Sequence, residues 1–171
     1  LCAESEMVGF EIVELDPLDG EALILLGEIG LDASRPDEAR TVLEEALTLA
    51  REQEQPQTVA SALCVAARLP GGDVEAARAA LASYTDASTL PTKHFQLWRA
   101  TRDPADLRAA KRALDDLLAK NPPEHHHAMR TNVPVHREIL AAWREELGDD
   151  DEAADGGSPT ESPTRVGEPD V

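Results

Sequence analysis

Helical spacing dominates the hydrophobic pattern in the central part of the chain. Between Gly20 and Arg51, apolar or small residues recur three or four positions apart in two runs, which a short polar stretch, ASRPDEA, separates. Spacing of this kind places apolar side chains on one face of a helix. Pro36 fits the first turn of the second helix, and Ser34 is predicted to cap it. The segment therefore predicts a helix–turn–helix hairpin.

Five further helices are predicted downstream, each from apolar residues at helical spacing. They extend from Thr58 to Leu69, from Gly72 to Tyr84, from Lys93 to Thr101, from Pro104 to Lys120 and from Pro134 to Leu147. Aromatic residues make up only 3 % of the chain, and alanine and leucine supply most of its 42 % hydrophobic content. Because strands favour aromatic and β-branched residues, this composition favours closely packed helices, and the predicted fold class is all-α.

Two kinds of position in the first hairpin follow a known repeat pattern. The small residues are Gly27, Ala39 and Ala46, and the large apolar residues are Leu23, Leu26 and Leu43. In this arrangement the hairpin resembles the tetratricopeptide repeat, in which about 34 residues form two antiparallel helices. The small residues of that family let the two helices approach closely. Gly30 departs from the family, which prefers an aromatic residue at that place.

The resemblance extends more weakly along the chain. Ala39, Ala77 and Ala110 recur at intervals of 38 and 33 residues, close to the family period of about 34. It implies an α-solenoid of roughly three helix hairpins, in which the last helix shields the terminal apolar surface as a cap. The residues available for the packed face of that capping helix are Val135, Ile139, Leu140 and Trp143.

The chain divides into three predicted parts. Residues 1–19 are interpreted as the remnant of a preceding repeat, because Leu15-Asp16-Pro17 resembles the usual end of a repeat of this family. Residues 20–147 form the predicted repeat domain. Residues 148–171 are rich in Gly, Pro, Ser and acidic residues, with no large apolar residue beyond two valines. Such a segment buries too little apolar surface to offset its chain entropy, so a disordered acidic tail is predicted.

The net charge indicates which classes of partner are disfavoured, and the cysteine usage indicates the cellular compartment. The chain has 34 acidic and 16 basic residues, a net charge of −18, which disfavours binding to nucleic acid or to anionic lipid. The charge favours a basic partner, although an acid-rich genome composition explains it equally well. No apolar run is long enough to span a membrane. The two cysteines do not form a disulfide framework, so a cytoplasmic protein is expected, with Cys64 as a small core residue.

Candidate chemistry centres on the consecutive histidines His125, His126 and His127. Imidazoles bind zinc or nickel well, but neighbouring side chains on a helix diverge by about 100°, so the three cannot converge on one ion. No HExxH, CxxC, phosphate-binding loop or paired nucleophile and base accompanies them. The chain is therefore predicted to be non-catalytic and to need no cofactor or metal. A metal-dependent activity at these histidines remains the alternative.

Three aromatic residues have two interpretations. Phe95, Trp98 and Trp143 lie within apolar stripes at helical spacing, which is typical of core residues. Tryptophan is also enriched among residues that anchor protein partners. The core interpretation is preferred.

The family resemblance implies a binding surface. The first helix of each hairpin lines a concave groove in that family, and the outward positions of the strong repeat are Glu21, Ile24, Glu28, Leu31 and Asp32. Such a patch is acidic with two exposed aliphatic side chains, and it favours a basic or amphipathic peptide. Some family members bind a C-terminal carboxylate through Lys and Asn at the places of Ile24 and Glu28. This chain lacks both, which argues against recognition of that kind.

A second resemblance concerns the wider protein. Irregular alanine-rich repeats followed by MRTNVPVHREILAAW, from Met129 to Trp143, are similar to the C-terminal ends of large bacterial signalling proteins. In those proteins the repeats follow a serine/threonine kinase or ATPase module. The resemblance implies that this chain is a non-catalytic interaction or scaffolding module of a larger protein. A purely structural spacer arm is the other alternative.

Overall fold

A computed structural model describes residues 20–148, and all regular secondary structure in this range is helical. The helices are α1 (Gly20–Asp32), α2 (Pro36–Glu52), α3 (Pro56–Ala66), α4 (Val74–Leu81), α5 (Leu90–Thr101), α6 (Pro104–Ala119), α7 (Pro123–Asn132) and α8 (Pro134–Glu146). The predicted all-α class is confirmed. The interpretations of residues 1–19 and of the tail from residue 149 lie outside the described residues.

Each helix packs against the next one, and three contacts skip one helix. α1 contacts α3 as well as α2, and α3 contacts α5 as well as α4. The helices α1, α3 and α5 therefore lie side by side. At the other end of the described chain, α8 packs against both helices of the α5–α6 hairpin and against α7.

The core consists of three clusters of buried side chains in chain order. The first joins α1, α2 and α3 around Leu23, Leu43 and Val65. The second is smaller and joins α3, α4 and α5. Its buried residues are Cys64, Ala67, Ala77, Leu81 and Leu97. The third joins α5, α6 and α8 and contains Phe95, Trp98, Leu107, Ala110, Leu114, Leu118, Ile139 and Ala142.

The core assignments made from the sequence hold for the aromatic residues and for the last helix. Phe95 and Trp98 are buried and stack with their ring centroids 5.1 Å apart. Trp143 is half-buried against the third cluster. On α8, Ile139 is fully buried. The other residues predicted for this face pack against the same cluster and are partly buried: Val135, Leu140 and Trp143.

Glycines of α1 permit its close contact with α2. A Cβ atom at Gly27 would lie 2.5 Å from Cγ of Leu43, and a Cβ atom at Gly30 would lie 3.2 Å from Cβ of Ala39. The prediction that small residues bring the two helices together is confirmed. A larger side chain at Gly30 would crowd Ala39 in the same way.

Two predicted local features differ in the structure. Ser34 does not cap α2: the N-cap residue is Arg35, and no side chain provides a capping hydrogen bond. Ser34 instead ends α1 in the left-handed conformation, with φ of 59°. The second difference is α7, which the sequence analysis did not predict, because none of its residues is buried and no apolar stripe marks it.

The turn after α2 has a glycine-type conformation at a residue that is not glycine. Glu54 has φ of 54°, its N–H donates to the Arg51 carbonyl, and the N–H of Gln55 donates to the Ala50 carbonyl at 2.8 Å. These bonds form a Schellman motif, whose left-handed position favours glycine because a side chain there is crowded by the backbone.

Replacement of Glu54 by glycine is expected to stabilise the chain by about 1 kcal/mol, because it relieves that crowding. Glu45→Gly is the matched control, since it places glycine at an exposed position inside α2, where a loss of about 1 kcal/mol is expected. Urea denaturation followed by circular dichroism measures both. A loss of stability for Glu54→Gly would contradict the expectation.

Candidate interaction surface

A network of polar side chains connects α1, α3 and α5 on one side of the described chain. Its centre is Arg68, directly after α3, whose guanidinium donates to Oε1 of Gln96 at 3.1 Å and also pairs with Asp32. Gln96 on α5 donates to the carboxylate of Glu28 on α1. These residues are far apart in sequence, so the contacts link the first helix directly to the fifth.

Arg99 extends the network toward the last helix. Its guanidinium lies 3.8 Å from Glu28, 3.6 Å from Asp32 and 3.9 Å from Glu138 of α8. Two arginines therefore face three carboxylates, one of which comes from the end of the described chain. The network connects α1 and α5 to α8 as well as to each other.

Burial shields the centre of this network from water, while Asp32 and Glu138 at its margin are 47 % and 51 % exposed. Gln96 is only 2 % exposed, and the side chain of Arg68 is 12 % exposed. Exposed ion pairs contribute little because water screens them, whereas partly buried, hydrogen-bonded pairs are screened less. The arginine side chains are therefore held in place, and their charges are already paired with carboxylates of the same chain.

The five residues predicted for the partner surface have different environments in the structure. Glu21 is exposed and accepts a hydrogen bond from the Thr58 hydroxyl at 3.4 Å. Glu28 and Asp32 face the same side but are paired with arginines. Leu31 is half-buried against the first core cluster.

The prediction that Ile24 is an exposed aliphatic residue of this surface is wrong. Ile24 is only 5 % exposed and belongs to the first core cluster. Although Ile24 lies one turn before Glu28 on α1, it packs into the cluster that α1 forms with α2 and α3. It is therefore a core residue and is unavailable to a partner.

Sequence reasoning missed the basic side of this surface. Arg68, Gln96 and Arg99 lie 36 to 71 residues away from their acidic partners Glu28 and Asp32. Their only local signal is polarity within otherwise apolar helical segments. That signal marks a polar position, but it does not identify the partner of the side chain.

The described helices are far less acidic than the whole chain. Residues 20–148 contain 20 acidic and 15 basic residues, a net charge of −5, whereas the whole chain carries −18. Most of the negative charge thus belongs to residues outside the described range. The surface formed by α1, α3 and α5 has mixed charge rather than the acidic character predicted for it.

The histidines and Cys64 do not assemble a reactive site within the described residues. His126 Nε2 lies 2.8 Å from the Asn121 carbonyl, and the buried His136 places Nδ1 2.8 Å from the Met129 carbonyl. No group of three or more potential metal ligands occurs between residues 20 and 148. Burial raises the pKa of the Cys64 thiol to about 12, so the thiolate needed for nucleophilic chemistry is scarce at neutral pH.

Comparison with known protein families, with characterised proteins and with solved structures finds no match to this chain. Among residues 20–148, no helix combines the length and apolar character that crossing a bilayer requires.

Proposed function

We propose that the chain is a non-catalytic protein-interaction module of the tetratricopeptide type, which binds a polypeptide segment on the surface formed by α1, α3 and α5. The proposal includes the α-solenoid arrangement and the scaffolding role in a cytoplasmic bacterial signalling protein that the family resemblances imply. It rests on the shape and the chemistry of this surface.

The contact between Glu28 and Gln96 is the observation that carries the proposal. Packed helices lie about 8–10 Å apart, so α1 and α5 would stand about 16–20 Å apart if α1, α3 and α5 formed a flat layer. The side chains of Glu28 and Gln96 nevertheless meet across α3. This supports a layer that curves toward the network and presents a concave side, the shape that favours an extended or helical peptide.

The charges of the surface favour a partner that is itself polar and of mixed character. Arg68 and Arg99 satisfy Glu28 and Asp32 internally, so a ligand gains most by adding bonds at the edge of the network. Glu21, two helical turns before Glu28 on α1, is an exposed carboxylate beside the network. A basic or amphipathic segment that places a cation beside Glu21 fits this arrangement.

Charge reversal at Glu21 tests the proposal with little disturbance of the fold. Glu21→Lys is expected to weaken capture of a partner from lysate of the source cell about fivefold, which corresponds to about 1 kcal/mol of binding free energy. Capture is quantified by mass spectrometry of the retained proteins. Glu28→Lys is unsuitable, because it would place a third cation beside Arg68 and Arg99 and disturb the fold itself.

The matched control is Glu45→Lys, which makes the same charge change at an exposed position of α2. It is expected to leave capture unchanged. If both variants retain the same proteins as the native chain, the surface is not the binding site. If the native chain retains nothing, the helices are better explained as a spacer arm.

A further inference from the structure

A second stripe of α1 is apolar and open to solvent. Leu25, Leu26 and Ile29 are 58 %, 45 % and 49 % exposed, and they are the large apolar side chains that are exposed among residues 20–148. Positions 25, 26 and 29 fall within an arc of about 100° on a helix, so the three side chains form one continuous patch. We call these three residues the α1 patch.

α1 has apolar residues on two opposite sides, a pattern typical of a helix that packs against other parts of the protein on both sides. Its opposite side already packs in the core through Leu23, Ile24 and the close contacts of Gly27 and Gly30. A helix that is apolar around most of its circumference is typically buried all round, whereas a surface helix has a polar outer side. The α1 patch therefore lacks a cover that its composition requires.

We propose that residues 1–15 of the same chain cover the α1 patch. This segment contains seven large apolar residues, Leu1, Met7, Val8, Phe10, Ile12, Val13 and Leu15. The other segment outside the described residues, 149–171, contains only Val166 and Val171 of this kind. Of the two, the segment before α1 alone carries enough apolar surface to cover the patch.

Chain connectivity favours this occupant over a second copy. The segment is joined to α1 through residues 16–19, and the patch begins five residues after Gly20. At about 1.5 Å per residue, Ile29 lies about 14 Å along α1 from that residue, well within reach of the segment. Covalent joining through a few residues gives effective concentrations in the millimolar range, which a separate molecule at micromolar concentration does not match.

Thiol labelling of the chain of residues 1–171 tests the proposal. A thiol is introduced by Leu26→Cys, or at the exposed α2 position by Glu45→Cys as the control, each in a Cys2→Ser background. Cys64 stays in place, because it is fully buried and its labelling reports unfolding. Maleimide labelling, followed by mass spectrometry, is expected to be about tenfold slower at position 26 than at position 45.

Substitutions in the segment then identify the cover. Phe10→Ser with Ile12→Ser is expected to bring labelling at position 26 to within about twofold of the control, whereas Val166→Ser with Val171→Ser leaves it slow. Equal labelling at positions 26 and 45 in the otherwise native chain overturns the proposal and indicates an external partner. Protection that appears only at high protein concentration also overturns it and indicates a second copy.

Cross-linking gives a second readout that does not depend on variants of the segment. A benzophenone amino acid placed at Leu25 is expected to cross-link on irradiation to residues 1–15 of the same molecule. Products that map only to another molecule, or only to residues after 19, contradict the proposal. Neither experiment requires the partner of the proposed function, so the two proposals stand or fall separately.

Discussion

In a chain that carries Leu43→Ala, the substitution Gly27→Ala is expected to stabilise the fold, whereas the same substitution in the native chain destabilises it. The added methyl group would lie 2.5 Å from Cγ of Leu43, a side chain with no room to move because it is 1 % exposed. Overpacking of this kind costs about 1–3 kcal/mol, which exceeds the gain of about 1 kcal/mol from replacing glycine in a helix.

Removal of the leucine side chain reverses the balance. Leu43→Ala alone is expected to cost about 2–5 kcal/mol, because it leaves a cavity in the first core cluster. The methyl group at position 27 then fills part of that cavity and keeps its gain in helix propensity. Chemical denaturation measures the free energy of unfolding of the native chain, the two single variants and the double variant, and these four values form a double-mutant cycle. Additive effects would mean that α1 and α2 do not approach as closely as the structure has them.

Ile139→Ala is expected to lower the free energy of unfolding by about 2–5 kcal/mol. Ile139 is the fully buried side chain through which α8 packs into the third core cluster with Trp98, Leu107 and Leu114. Its truncation leaves a cavity between α8 and the α5–α6 hairpin. Urea denaturation measures the loss, and hydrogen exchange is expected to show faster exchange in α8 than in α2.

Glu145→Ala provides the control for this variant, since it removes an exposed side chain from the same helix. Its expected effect lies within about 0.5 kcal/mol. A loss of less than about 1 kcal/mol for Ile139→Ala would show that α8 rests loosely on the other helices. The third core cluster would then depend on α5 and α6 alone.

Local spacing was sufficient to predict most of the helices and their packed faces. The first hairpin followed from the small residues Gly27 and Ala39, because helix contact demands small side chains at fixed positions. Pro36 and Pro104 marked the starts of α2 and α6, since proline fits the first turn and disrupts later ones. Ile139 identified the packed face of α8 through the same periodicity.

Only the acidic residues of the candidate interaction surface were predictable from the sequence. Glu28 and Asp32 were assigned to it from the resemblance, but their arginine partners lie at least 36 residues away and carry no local mark of the pairing. Ile24 was wrongly assigned to it from the same resemblance, and periodicity could not correct the assignment, because nearly all of α1 is apolar. Only the packing of α1 against α2 and α3 determines which aliphatic residues face solvent.

The small side chains of the second core cluster have a mechanical consequence. Cys64, Ala67 and Ala77 bury less apolar surface than the leucines and aromatic residues of the clusters on either side. The middle of the described chain is therefore expected to open at a lower free-energy cost than the clusters on either side, and the polar contacts of Glu28 with Gln96 and Arg99 are what bridge it. A polypeptide that touches α1 and α5 together would span this joint and hold it closed, so that ligand occupancy and the stiffness of the chain rise together.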